Sequence, residues 1–260
     1  MSDGLGHPRV VALHRFPVKS MGGESLETTE VGPAGIVGDR EWAVYGADGK
    51  LASAKHTRRF RRMDPVFELV ARRPCDGSND LVVMFPDGQE LALGLTGCEL
   101  DNHAEGDPGG LLSEHFGEAV SVRRESTVPH QDAAPVSIVG TATLRELGRH
   151  EGDGRPIDPR HLRVNVVVET DTPFVEETWV GRHVRLGTVV MAVTEPIQRC
   201  RMVGVTQVGL AGRPGLLRAI SDHHDLCTGV YGSVVTSGVA TVGDHVLVIA
   251  PTRSGPLGSA

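Results

Sequence analysis

Val189-Val190-Met191-Ala192-Val193-Thr194-Glu195-Pro196-Ile197-Gln198-Arg199-Cys200-Arg201-Met202 is the stretch that decides how this chain is read. Its opening run, Val189 to Val193, has the length and β-branched character of a strand. The segment then delivers a lone thiol, Cys200, between two arginines. Two guanidinium charges stabilise a thiolate, which is both a nucleophile and a metal ligand. No second cysteine stands at C-x-x-C spacing, which argues against a zinc knuckle or a dithiol redox pair. The competing reading is a buried structural cysteine, since free cysteine is among the most buried residue types. Flanking charge does not belong in a core, and that weighs against it. The local sequence leaves both readings open.

Working outward, short strands outnumber helices. Val10–Leu13, Glu41–Tyr45, Phe67–Val70 and Leu81–Phe85 read as strands of the first half. Val164–Val168, His183–Leu186, Val189–Val193, Val230–Val235 and His245–Ile249 are those of the second. Tyr45-Gly46-Ala47-Asp48-Gly49-Lys50 and Pro86-Asp87-Gly88-Gln89 carry the Asp-Gly hairpin signal. Helices are expected at Gly109–Phe116, at Thr141–Leu147 with Thr141 as N-cap and Gly148 closing it, and at Pro214–Ile220. The chain turns polar around residues 126 to 134. This places an N-terminal domain at 9–125, a second at 126–250 and a disordered tail at 251–260. Many short strands with few helices imply a mainly β (α+β) protein of two β-barrel-like lobes.

Composition excludes several classes. A formal charge of -7 and few aromatics argue against nucleic acid as a partner. No apolar run approaches the length of a membrane span, and no signal-peptide core is present, so no membrane partner is expected and a cytoplasmic location is. Cys75, Cys98, Cys200 and Cys227 are too few in 260 residues for a disulfide framework.

Three further clusters carry chemistry. Phe16-Pro17-Val18-Lys19-Ser20-Met21-Gly22-Gly23 ends a strand in a glycine-containing loop with an ammonium beside a hydroxyl. Such a loop suits an anion, although it is no Walker loop and a solvated turn reads the same way. Gly38-Asp39-Arg40-Glu41-Trp42 places Asp39 and Arg40 at a strand mouth, where a structural ion pair is the simpler reading. In Asp158-Pro159-Arg160-His161-Leu162-Arg163-Val164-Asn165, a strand period of two would point Arg163 and Asn165 to one face, as a site or as a buried polar network. His223-His224-Asp225-Leu226-Cys227 tempts as a metal site but lacks zinc-ligand spacing and reads as a solvated turn.

Taken in order, Pro17-Val18-Lys19-Ser20, Gly38-Asp39-Arg40-Glu41-Trp42, Leu162-Arg163-Val164-Asn165-Val166-Val167 and Arg199-Cys200 resemble the MOSC family, named for the C-terminal domain of molybdenum-cofactor sulfurase. Thr178-Trp179-Val180-Gly181-Arg182, Gly229-Val230-Tyr231-Gly232 and Val242-Gly243-Asp244 extend the likeness over roughly residues 9 to 250. The first half resembles the β-barrel domain found N-terminal to MOSC. The resemblance implies a MOSC β-barrel fold and a pyranopterin molybdenum cofactor (mononuclear Mo). Cys200 would be the metal ligand and catalytic residue, with Lys19, Ser20, Arg40, Arg163, Asn165 and Arg199 around the cofactor. It also implies a reductase of N-hydroxylated, N-oxide or S-oxide small molecules, similar to the mitochondrial amidoxime-reducing component and fed by an external electron-donor protein. The alternative is a sulfur carrier or cofactor-handling protein that uses a Cys200 persulfide. A family-level association with pyridoxal phosphate singles out no residue here.

The sequence departs from the family at two places. A Thr-Thr-Val-Asp-Pro run often follows the cysteine in relatives, whereas Met202-Val203-Gly204-Val205-Thr206-Gln207 follows it here. Val164 replaces the proline of an Arg-Pro-Asn strand, with His161-Leu162 where an aromatic is usual. Both changes bear on substrate preference. The cysteines present do not supply an iron–sulfur cluster.

Overall fold

A computed structural model describes residues 8–74, 81–93, 108–126 and 129–250. Strands dominate it, with a few short helices. Its centre is an eight-stranded sheet in the order Val246–Ile249, His183–Leu186, Val189–Gln198, Cys227–Thr236, Val136–Gly140, Val166–Val168, Val10–Arg15, Glu24–Leu26. The order is linear, so the sheet is open where barrel-like lobes were expected. A single bridge between Arg9 and His245 draws its first and last long strands together, with Val246 N donating to Pro8 O at 2.7 Å. The first half adds two small sheets, Val120–Arg124/Trp42–Gly46/Leu51–Ser53/Phe60–Arg62 and Glu90–Leu93/Leu81–Met84/Val70–Arg72. A third joins Gly238–Thr241 to Thr28–Gly32 and Gly35–Ile36. Elements of the two halves therefore interleave: Val10–Arg15 lies antiparallel to Val166–Val168 in the central sheet.

The period of two explains the long central strand. Val189, Met191 and Val193 point into the core while Val190 and Ala192 lie at its margin. The strand continues past Val193 to Gln198, with register shifts around Glu195 and Pro196. Proline has no N–H to give the ladder, and an irregular pairing accommodates it. One apolar cluster fills the first half around Trp42, Phe67 and Leu81. A second lies under the central sheet around Leu13, Ile138 and Met191, and a third packs the helices Thr141–Glu151 and Leu216–His224 against it.

Several expectations are corrected. Phe67 belongs to a 3-10 turn, Asp64–Glu68, which Pro65 opens at a position where its missing N–H costs nothing; the strand begins at Val70. The helix at Thr141 runs to Glu151, capped by Gly140 rather than Thr141 and ended by Gly152 at φ 99°. Gly148 lies inside it because a Cβ there would stand 1.7 Å from Arg155 O. The last helix starts at Leu216, after Pro214. Both hairpins form, with Gly46 N donating to Lys50 O at 3.0 Å and Phe85 N to Gln89 O at 2.9 Å. Cys75, Cys98 and the tail from residue 251 lie outside the described residues.

Candidate functional site

The central sheet delivers Cys200 to a recess between the two halves of the chain. Lys19, Ser20, Arg40, Arg163, Arg199 and Cys200 all line it, so six of the expected residues meet although Lys19 and Cys200 are far apart in sequence. The recess has a volume of about 110 Å³. A volume this small suits an anionic group rather than a whole drug-sized ligand.

Each cation is positioned by main-chain geometry. Lys19 is 5% exposed, and its Nζ donates to His130 O at 2.5 Å and pairs with Asp132 Oδ1 at 3.2 Å. Arg40 is bound to Asp39, whose other oxygen accepts from Phe16 N at 2.8 Å, so the expected structural ion pair is present. The same Arg40 donates from Nη2 to Arg163 O at 2.8 Å and faces the recess. Arg163 donates to Met21 O and lies over the Phe16 ring at 4.4 Å. Its Nη2 is buried without a partner. Arg199 donates to Thr228 O at 2.9 and 2.6 Å and to Leu162 O at 2.7 Å. Ser20, Arg40 and Arg163 all hold left-handed backbone (φ 72°, 52° and 51°) without being glycine. Such strain persists only where the surroundings impose it, and it clusters at functional sites.

This concentration of charge is costly in burial. Burial, reinforced by Arg40, pushes the Arg163 pKa down to about 9. Burial pushes Lys19 down to about 8, with Asp132 opposing and Arg40 assisting. It takes Arg199 to about 10, against the pull of Tyr231 and Cys200. Burial would raise Asp132, but Lys19, Lys55 and Arg40 outweigh it and hold its carboxyl at about 2. Lys55 pairs with the same carboxylate at 3.8 Å. Cations therefore outnumber carboxylates in the recess, and an anion would relieve all of them.

Two expectations fall differently. Arg163 is not in a strand: it caps the short helix Pro159–Leu162, and the strand begins at Val166. The left-handed turn sends Asn165 away from the recess lining. Its Oδ1 accepts from Ser137 N at 3.2 Å and Ser137 Oγ at 2.9 Å, and its Nδ2 donates to His14 O at 3.3 Å. Arg201, the second arginine beside the thiol, turns outward to Asp64 Oδ1 at 3.4 Å. His223 and His224 close a helix rather than a turn: His224 stacks on Phe174 and meets Glu177 Oε2 at 2.9 Å. Among the described residues no cluster of His, Cys, Asp or Glu is arranged to hold a metal ion.

Sequence reasoning did not single out Asp132, Lys55, Ser53, His161 or Tyr231 as lining residues. Tyr231 lay within a quoted motif and was findable. Asp132 lies in the polar connection, and only a contact across 113 positions reveals it.

Residues 113–247 match the MOSC domain and residues 7–113 the MOSC N-terminal beta barrel domain. The chain is 26% identical over 282 residues to a molybdenum cofactor sulfurase of Danio rerio, covering 90% of this chain and 34% of the relative. It is 24% identical over 236 residues to that of Caenorhabditis elegans, covering 84% of this chain and 32% of the relative. It thus spans about a third of the length of these relatives. The YuaD protein of Bacillus subtilis has a similar fold, with a TM-score of 0.52 at 16% identity over 94% of this chain and 97% of that one. No helix of the described residues is long and apolar enough to cross a membrane.

Proposed function

Because the chain belongs to the MOSC family, with the MOSC N-terminal beta barrel domain ahead of the MOSC domain, we propose that it handles the molybdenum cofactor, holding the cofactor's anionic end in the basic recess and working on sulfur through Cys200. The observation that carries this reading is the excess of buried cations beside the thiol, with Arg163 Nη2 lacking any partner. An unpaired buried donor is expensive, and a phosphate oxygen satisfies it. The donor set fits that anionic end: Lys19 gives a point charge, Arg40 and Arg163 give planar forks, and Ser20 stands beside them. Bound there, the cofactor supplies a molybdenum centre of the kind that accepts sulfur-rich ligation.

Within this reading the chain's own residues neutralise the incoming charge, exclude competing cations and keep Cys200 at the edge of the recess. Cys200 carries a sulfane sulfur as a persulfide: its thiolate attacks the outer sulfur of a separate persulfide or polysulfide donor, the donor's S–S bond breaks and its shortened thiolate leaves. Arg199, next to it and bound to main-chain carbonyls, keeps a fixed positive charge near the anionic sulfur. The names of the relatives support sulfur handling over the alternative reductase, which would use the same recess and thiol with electrons from a separate protein.

The test loads the protein with cofactor and separately exposes it to inorganic polysulfide. Bound pterin that disappears in Arg163→Ala, with a one-sulfur mass gain confined to Cys200, is the expected result. Absence of that mass gain, together with Cys200-dependent reduction of an N-hydroxylated amidine, would replace this reading with the reductase. Absence of pterin binding would remove both.

A further inference from the structure

The recess already holds a negative charge of its own. Asp132 lines it from the polar connection between the two halves, and its side chain is about half exposed. The carboxylate pairs with Lys19 Nζ at 3.2 Å and with Lys55 Nζ at 3.8 Å. Both ammonium groups stand over the Phe60 ring, 5.2 and 5.8 Å from its centre, so Asp132 bridges two cations gathered on one aromatic face. Arg40, Arg163 and Arg199 lie close enough to feel the same charge. Asp132 thus meets the cations that an incoming anion would meet.

The fold does not need this carboxylate where it is. Asp39 accepts from Phe16 N at 2.8 Å and Asp158 from Arg160 N at 2.9 Å, so those side chains hold main chain in place. Among the described residues Asp132 accepts from no main-chain N–H, and the two ammonium groups are its partners. Its neighbours fix the loop instead. His130 is buried, its N donates to Glu125 Oε2 at 2.7 Å, and its Nε2 meets the Tyr45 hydroxyl at 3.0 Å. Gln131 Nε2 donates to Ala34 O at 2.8 Å, and Pro135 O packs so closely on Gly35 that a Cβ there would come within 2.4 Å. The backbone is anchored on both sides, while the half-exposed carboxylate can turn to solvent without breaking a main-chain contact. Lys19 would still keep His130 O, at 2.5 Å.

We propose that Asp132 is a tethered competitor that sets which anions the recess admits: a ligand enters by displacing its carboxylate from Lys19 and Lys55, and a multiply charged phosphate group does so where a monoanion does not. The proposal rests on the reading of the recess as an anion site and names the ligand class within it. A tethered group competes at an effective concentration on the order of millimolar. A free carboxylate offers the ammonium groups the same contacts and no more, so it gains nothing by the exchange. A phosphate dianion brings more charge and more oxygens, and it can reach Arg40 as well as the two ammonium groups. Selectivity of this kind is a difference of affinities, enforced by an element that disfavours the wrong ligand.

The test is calorimetric titration of inorganic pyrophosphate into the full chain, with the wild type beside Asp132→Asn and Asp132→Ala, at constant ionic strength. Both variants should bind pyrophosphate about tenfold more tightly than the wild type, since each removes a like charge from the ligand's place. Sodium acetate, exchanged for sodium chloride, should weaken pyrophosphate binding to Asp132→Ala and leave the wild type unaffected. Circular dichroism checks that both variants are folded. Equal or weaker pyrophosphate binding in the two variants would overturn the proposal, making Asp132 a support for Lys19 while the recess stays an anion site. Acetate that acts alike on wild type and Asp132→Ala would overturn it too. Binding in none of the three proteins would remove the anion site itself, and the proposal with it.

Discussion

Arg163 and Asn165 are two residues apart, both buried and polar, and opposite in kind. Asn165 meets Ser137 and His14 so that each group it offers finds a partner. Arg163 keeps an orphaned Nη2 and sits beside Arg40, a like charge. A network that closes on itself holds a fold together, whereas one that leaves charge unanswered is built for something absent. The same contrast separates Arg40, half answered by Asp39, from Arg199, whose guanidinium is spent on carbonyls and contributes chiefly charge.

Breaking the closed network should have the largest effect on stability. Asn165→Leu removes the side-chain partner of Ser137 N and His14 O and the acceptor of the Ser137 hydroxyl, which keeps only the main-chain N–H of residue 165, and should cost about 3 kcal/mol in chemical denaturation. Arg163→Ala should cost less stability, because it also removes a repulsion with Arg40. It should lower affinity for inorganic pyrophosphate at least tenfold by calorimetry. Arg163→Lys should recover only part of this, because an ammonium lacks the planar fork. Equal destabilisation by Asn165→Leu and Arg163→Ala, with unchanged anion affinity in the latter, would erase the contrast.

A smaller effect follows from Lys19. Burial holds its pKa at about 8 in the folded chain, whereas an unfolded lysine titrates near about 10.4. Between those values the unfolded chain binds more protons, so the Lys19 contribution to stability rises with pH in that window. The recess meanwhile loses positive charge, and pyrophosphate affinity should fall severalfold from pH 7 to pH 9. Lys19→Met should flatten both trends. A parallel rise or fall of stability and affinity would contradict the account.

The strands were legible because alternation along Val189–Val193 is enforced by burial of one face. The turn at Asp64–Glu68 was not, since Val66 and Phe67 are apolar in either conformation and only Pro65 hinted at the outcome. That the thiol, the two loop cations and Arg163 belong together was suggested by residue type and order, and the structure brings them to one recess. For Asn165 the sequence left a site and a buried polar network both open; a strand period extended through Arg163 put the two on one face, and the left-handed backbone there breaks that period. Asp132 was invisible because its meaning lies in contacts with Lys19 and Lys55 that no local pattern encodes. Arg201 resembled Arg199 in sequence, yet the chain turns at Cys200 into a 3-10 helix and sends the second arginine out of the recess.

The central claim, that the basic recess brings an anion to Cys200, is tested most directly by alkylation of the two described cysteines. Cys227 lies on the neighbouring strand outside the recess, its thiol pushed up by burial and by Glu177 and Asp225. Iodoacetamide rates at each site, read by peptide mass spectrometry across a pyrophosphate titration, should fall saturably at Cys200 and stay constant at Cys227. Identical behaviour of the two thiols, or a Cys200 rate indifferent to pyrophosphate, would contradict it.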